Sequence, residues 1–569
     1  MTDGWRGGTR AGFSFASQSE LRFCPPVSTL RPKLRLLSLL LCLLCLTGCR
    51  PRETPVELGN RTQVLHQNIG AEPQDLDPPM MQTNAHYQVL MALYEGLTGY
   101  DPQDLHPVPG VAERWEISDD GLAYTFHLRP AAHWSNGDPV TAQDFAFSAQ
   151  RTLTPALGSP YPFYYFVVRG AQDFATGKSK DFATVGIRAL DARTLRIELH
   201  QPAPYLLFLL GSFAWMPVHR ATVEKHGRFD QPYTGWTKPG QIVTNGPFTL
   251  TDWKPGQEII VRQNPRYWDA ANVRLREIHF HLIENIDTEE RAFRSGQLHL
   301  TEYVPGSRLK TYHDNEPQLL KAAPFFMTYF YGFDTTRPPF NDGRVRQAFS
   351  LALDRDRLIA SEPYRGLRPA SSFVPPGVDG YIYDGTDRLH FDPAEARRRL
   401  AAAGYPEGKG FPVVDITFPT NGRHQQIAEV LQQMWQQNLG IRLNVVNKEG
   451  RVFHEERLRK LYQLARAGWV GDYLDAHAFL SVYVSDGGQN DTGWANPTYD
   501  RLVHDSLNER DRAKRQAIYR ELESIFLREL PIIPLFHDSS PHLVNPAVQG
   551  YYPNLLNYHP YQRMWLEHK

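Results

Sequence analysis

Ala465-Arg466-Ala467-Gly468-Trp469-Val470-Gly471-Asp472-Tyr473 packs a fixed cation, two glycines, a broad indole and a carboxylate into nine residues. Glycine lets a backbone come close to another molecule, because no Cβ stands between them. Arg466 and Asp472 set opposite charges six positions apart. An extended peptide has the complementary make-up: an ammonium at one end, a carboxylate at the other, bare amides between. Asp472 suits the amine, Arg466 suits the acid end, and open backbone suits strand addition. The other reading of the same residues is a buried strand end carrying a surface ion pair.

Working outward, 569 residues are too many for one simple core, so two or three domains are expected. The composition is ordinary globular, 41% hydrophobic and 22% charged, with no repeat period. A formal net charge of −1 leaves no footprint for nucleic acid. There is no Gly-x-Ser-x-Gly, no His-Glu-x-x-His and no Gly-x-Gly-x-x-Gly, and no cysteine follows Cys49. These absences argue against a hydrolase, a disulfide framework and a phosphate cradle, and no cofactor or resident metal is expected.

The first fifty residues are of another kind. Arg31, Lys33 and Arg35 precede a run from Leu36 to Leu46, too short to span a bilayer, which reads as a secretory signal. Leu46-Thr47-Gly48-Cys49 resembles the bacterial lipobox, which implies a leader over 1–49, lipidation of Cys49 and a protein tethered in the periplasm or cell envelope. A plain cleaved signal peptide is the other reading. The stretch ahead of Arg31 is long for such a leader, so the true start is expected further on. Residues 50–61 are polar and proline-bearing and read as a linker.

Beyond it, recognisable blocks follow one another: Asp77-Pro78, Leu93-Tyr94-Glu95-Gly96-Leu97, and Pro109-Gly110-Val111-Ala112-Glu113-Arg114-Trp115-Glu116. Next comes Trp134-Ser135-Asn136-Gly137-Asp138-Pro139-Val140-Thr141, a tight turn leading into a helix capped by Thr141. Trp115, Trp134 and Phe145 read as core residues, and 204–217 as one apolar helix. Val243 to Leu250 opens a run of strands, Ala323 to Asp342 is rich in aromatics, and Pro339 to Ala348 leads into a helix. Together with the nine residues above, these blocks resemble the bacterial periplasmic oligopeptide-binding proteins (extracellular solute-binding proteins, family 5).

The resemblance implies a mixed α/β fold of two hinged lobes with an extra subdomain. It places lobe I at 62–94, 219–330 and 541–569, the extra subdomain at 95–218, and lobe II at 331–540. It gives Asp472 to the ligand's ammonium, and Gly468, Trp469 and Val470 to its backbone. Arg466 and His424 go to its carboxylate, Arg457 to a pocket, and Gln82, Thr83 and Asn84 to its opposite edge. Tyr161 aligns with a cleft tyrosine. Tyr329 and Tyr331 are either beside the ligand or packed in the sheet. Asn245 and Gly246 either present backbone to it or form a plain turn. Two departures are Gly450, where the family has a pocket tryptophan, and Gln82, where it has a glutamate. The implied partners are a short peptide and the permease and ATPase of an ABC transporter, with the chain itself a monomer. Murein peptides, dipeptides, haem, nickel or a sensing role stay open on the same fold.

Overall fold

The computed structural model describes residues 53–568, except 363–364, 379–380, 384–388 and 486. The leader and Cys49 fall outside the described residues. The expected linker is in part a helix, α1 (Pro55–Thr62). Thr54 N–H donates to Glu57 Oε2 at 2.8 Å and Glu57 N–H returns to Thr54 Oγ1 at 3.2 Å. With Pro55 at the first helical position, this reciprocal cap starts a helix in a stretch whose polarity alone suggests none. Val56 N–H docks it on the Gly296 carbonyl at 3.0 Å.

Strand β1 (Val64–Asn68) and helix α2 (Asn84–Leu93) follow. An inserted unit then builds its own antiparallel sheet from β2 (Ala112–Ile117), β3 (Ala123–Leu128), β4 (Ile187–Ala189) and β5 (Thr194–Glu198), in the order β2-β3-β5-β4. In β3 every second residue, Tyr124, Phe126 and Leu128, is buried, the pattern of a sheet with one packed face. Helix α3 (Ala142–Leu153) starts at Thr141, whose N–H donates to Asp144 Oδ2 at 2.8 Å. Trp134 and Phe145 lie in the core, with Trp115 half-buried at its margin. Residues 204–217 do not make one helix. Tyr100 and Thr98 hydroxyls take the Phe208 and Leu207 carbonyls at 2.5 and 2.8 Å, and the helical turn stops at Leu209.

The chain returns through β6 (Phe248–Lys254), β7 (Glu258–Gln263) and β8 (Glu277–His281), which join β1 in the order β1-β8-β7-β6, with β1 and β8 parallel. A six-stranded mixed sheet comes last. It uses β9 (Leu320–Phe333), β10 (Arg368–Pro369), β11 (Val414–Pro419), β12 (Leu443–Lys448), β13 (Leu464–Val470) and β14 (Ile532–Leu543), in the order β10-β14-β9-β13-β11-β12. Helices α4 (Gly343–Leu351) and α5 (Gly422–Leu439) cover one face, where Tyr329, Tyr331, Phe333, Phe349 and Trp435 form a second core. Helix α6 (Gly450–Leu458) follows β12.

The expected borders at 330/331 and 540/541 fall inside β9 and β14. These two long strands pair with each other, with a register irregularity between Pro324 and Thr328. Among the described residues no helix is long and apolar enough to cross a membrane.

Candidate functional site

Strand β13 pairs with β9 from Leu464 to Val470, Gly468 lying opposite Tyr329. On its other side β11 reaches only Leu464 and Ala465. Past Ala465 no strand of the described residues lies on that edge. Gly471 donates its N–H to the Phe326 carbonyl at 3.0 Å. Alternation then turns the main-chain groups of Trp469 toward β9 and those of Gly468 and Val470 toward the open side. Val470 is 46% exposed. The Trp469 indole N–H donates to Ala478 O at 2.7 Å, which fixes the ring as a wall.

The two glycines of the stretch have different reasons. A Cβ on Gly471 would stand 2.1 Å from Phe326 Cε1, so this residue is glycine to let β13 close on β9. A Cβ on Gly468 would crowd only the flexible end of Met327, at 2.5 Å, and would touch Arg466 Nη2 and Thr328 O at an ordinary 3.5 Å. Gly471→Ala is therefore expected to lower stability by about 1–3 kcal/mol, the usual cost of overpacking. Gly468→Ala should melt close to the parent. Paired thermal melts check the contrast.

Asp472 follows the strand and is exposed at its surface. The Tyr164 hydroxyl donates to its Oδ1 at 3.4 Å. Tyr161 and Tyr164 come from the inserted unit and pack on Phe213, with ring centroids 4.7 and 5.7 Å away. Protein crowded round the carboxylate strips part of its hydration and raises its pKa to about 6, against a smaller opposing pull from Tyr164. No cation pairs with it among the described residues.

At the other end Arg466 lies with Cζ 4.5 Å from the centre of the Tyr329 ring. Its Nε is buried without a hydrogen-bond partner, and no carboxylate of the described residues pairs with it. His424, at the start of α5, shares a 3.0 Å contact from Nδ1 to the Tyr329 hydroxyl. Burial, then Arg466 and Arg423, hold its pKa down near 4, so His424 offers a hydrogen bond and not a charge at neutral pH. Arg423 is occupied: Nε bonds Glu362 Oε2 at 2.9 Å and Nη1 bonds Asp538 Oδ2 at 3.0 Å. The cluster thus carries one unmatched guanidinium, that of Arg466.

The structure corrects several expected contacts. Tyr329 and Tyr331 are fully buried and belong to the sheet core, Tyr329 serving as the platform under Arg466 and His424. Arg457 is paired with Asp491, so its charge is already matched. Asn245 and Gly246 are buried and tied to the protein. The Asn245 amide bonds Glu95 O at 2.8 Å, and Gly246 bonds Leu93 O and the Asn264 amide at 2.9 Å each. A Cβ on Gly246 would stand 2.5 Å from the Leu93 carbonyl carbon, so the glycine serves packing. Gln82, Thr83 and Asn84 are exposed at the head of α2, where Thr83 is the cap and Asn84 Nδ2 bonds Glu302 Oε1 at 2.7 Å. A Cβ on Gly450 would meet nothing within 4 Å, so there is room for the side chain this chain lacks. Sequence reasoning missed Tyr164, Arg423 and Asp538. The run Tyr161-Pro162-Phe163-Tyr164-Tyr165 held a signal for the first.

The chain as a whole is similar to known proteins. The periplasmic oligopeptide-binding protein OppA of Escherichia coli (strain K12) is 34% identical over 496 residues, 86% of this chain and 90% of that protein. The murein tripeptide-binding protein MppA, in its unliganded open form, superposes with a TM-score of 0.77 at 31% identity, covering 89% of this chain and 97% of the other. OppA of Haemophilus influenzae, in complex with RPPGFSPFR, superposes with a TM-score of 0.70 at 30% identity, covering 89% and 99%. The model of the bacterial extracellular solute-binding proteins, family 5, matches residues 106–491. With two lobes, an open strand edge and relatives that span nearly their whole length, the chain belongs to the bacterial extracellular solute-binding proteins of family 5.

Proposed function

We propose that this protein captures short peptides outside the cytoplasm and hands them to an ABC transporter. The observation that carries the reading is the unpaired edge of β13, with an unmatched guanidinium before it and a carboxylate without a cation after it. A peptide laid on that edge is held by its amides through Gly468 and Val470, by its ammonium at Asp472 and by its carboxylate at Arg466, with His424 as a neutral donor. Six residues of strand span about 20 Å at ~3.3 Å each, and the arms of Arg466 and Asp472 reach inward from both ends. That suits a ligand of a few residues. Gln82, Thr83 and Asn84 would close on its opposite edge, Tyr161 would cover its first residue, and the room at Gly450 would take a large side chain. The chain crosses between the lobes in β9 and β14. Cys49 carries a lipid that keeps the protein at a membrane.

Calorimetry on residues 50–569 tests the reading with pools of tri- to pentapeptides. Free peptides should bind, N-acetylated and C-amidated ones should bind much more weakly, and all should be recovered uncut. No heat with any free pool would sink it. Arg466→Met should weaken short free peptides by roughly 10- to 100-fold, as expected for a lost charge-assisted hydrogen bond of about 1.5–3 kcal/mol. The same variant should bind C-amidated peptides about as the parent does. Because it also removes a partly buried guanidinium that no carboxylate of the described residues matches, its melting temperature should not fall.

A further inference from the structure

Away from the cleft, the sheet β1-β8-β7-β6 presents an unusual face. His279 and His281 are two apart on β8 and therefore share it. His66 is directly opposite His279 on the parallel neighbour β1. The ring centroids of His66 lie 4.7 Å from His279 and 5.4 Å from His281. His66 Nδ1 and His281 Nε2 are 3.1 Å apart. Two nitrogens on one tetrahedral cation, at bonds of about 2.05 Å, would stand roughly 3.3 Å apart, so the pair is set for a shared ion with little movement. His279 turns Nδ1 to Glu258 Oε2 at 2.8 Å and Nε2 to Glu277 Oε1 at 2.6 Å. Carboxylates behind an imidazole are the usual second layer of a metal ligand, and they offset the charge of a cation. All three side chains are partly buried without being sealed off, His279 at 17% exposed, which leaves a path for a small ion. His299 is not a ligand: Nδ1 faces the His66 N–H at 3.0 Å and Nε2 faces Asn60 Oδ1 at 3.1 Å.

We propose that His66 and His281 form a chelate for a divalent transition-metal ion of the copper, nickel or zinc class, with His279 completing it when its ring turns from one carboxylate. The ligand set, two or three imidazoles and no thiolate, is the one these borderline cations prefer. The site lies outside the β13 edge, so it stands or falls independently of peptide binding.

Metal-stripped protein (residues 50–569) is titrated with copper(II) and nickel(II), and the copper adduct is examined by electron paramagnetic resonance. One equivalent should bind, with nitrogen hyperfine structure from at least two imidazoles. His66→Gln and His281→Gln, made separately, should each weaken binding tenfold or more while melting like the parent. The two are kept apart so that a folding defect in one leaves the other informative. Asp101, Asp104 and His106 bring their ligand atoms within 4.8 Å of one another at the surface and serve as the control. Absence of uptake, uptake unchanged in both glutamine variants, or uptake lost in His106→Gln instead would overturn the proposal.

Discussion

Asp472→Asn should weaken the binding of free peptides by about 100-fold or more, with little loss for N-acetylated ones. An ammonium brought to this spot finds the Asp472 carboxylate, which no cation of the described residues occupies. Asp472 is exposed in the unliganded protein, but a ligand laid over it would bury the pair, so removing that partner costs roughly 3–5 kcal/mol. The parent should also show a pH signature that the variant lacks. Its carboxyl titrates near 6 because surrounding protein disfavours the charged form. Pairing needs the charge, so parent affinity should hold above pH 7 and fall as pH drops through 6, while the variant stays flat. Stability runs the other way. A carboxyl raised in the folded state favours the protonated fold, so the ionised group weakens the unliganded protein above pH 6 and ceases to do so as pH falls. Asp472→Asn should therefore melt at or above the parent at pH 7, and the gap should close below pH 4. Calorimetry and melts across pH 4.5–8 measure both; an asparagine variant that binds free peptide at parental strength would remove Asp472 from the site.

The nine-residue stretch was legible because it needs few long-range facts. Charge, glycine and aromatic order follow from the sequence, and alternation tells which amides share a side. What stayed hidden is pairing across distance. Nothing in the sequence says that Arg457 meets Asp491 while Arg466 meets no carboxylate among the described residues. Tyr329 and Tyr331 do share a face, as alternation requires, but that face turned out to be the covered one. Period 2 gives sidedness and not which side has a roof. Asn245 and Gly246 read either as a turn offering backbone to a ligand or as a plain turn, and Leu93, Glu95 and Asn264 take their polar groups. Residues 50–61 show the reverse case, where polarity suggested a linker and a local cap, Thr54 with Glu57, made a helix. In each instance the deciding partner is far along the chain or is a cap whose strength composition does not register.

The second large effect is expected at Asp77, which the sequence marks only as part of Asp77-Pro78. In the structure it receives both arms of Arg151, Nη1 to Oδ1 at 2.6 Å and Nη2 to Oδ2 at 2.5 Å, with each side chain 1% exposed. Arg151 Nε is bound to Phe229 O at 2.7 Å. The guanidinium is thus buried with every arm assigned, and the pair ties α3 of the inserted unit to the loop leading to Gln82. Asp77→Ala leaves that cation with no counter-charge, which should cost about 3–5 kcal/mol. Against a typical total of roughly 5–15 kcal/mol this is a large fraction, and the melting temperature should drop by several degrees. Arg151→Met alone should cost less than Asp77→Ala, because Asp75 and Asp77 then repel in a site that can shed charge by protonation; burial, then Asp77, already raises the Asp75 pKa. The double variant Asp77→Leu with Arg151→Met should recover much of the loss, since a buried pair is often replaceable by apolar residues of similar volume although neither half is dispensable alone. Denaturant unfolding of the parent, Asp77→Leu, Arg151→Met and the double variant measures the coupling. Additive losses in the double variant would show that the pair does not act as a unit, and that the loop before Gln82 is held by something else.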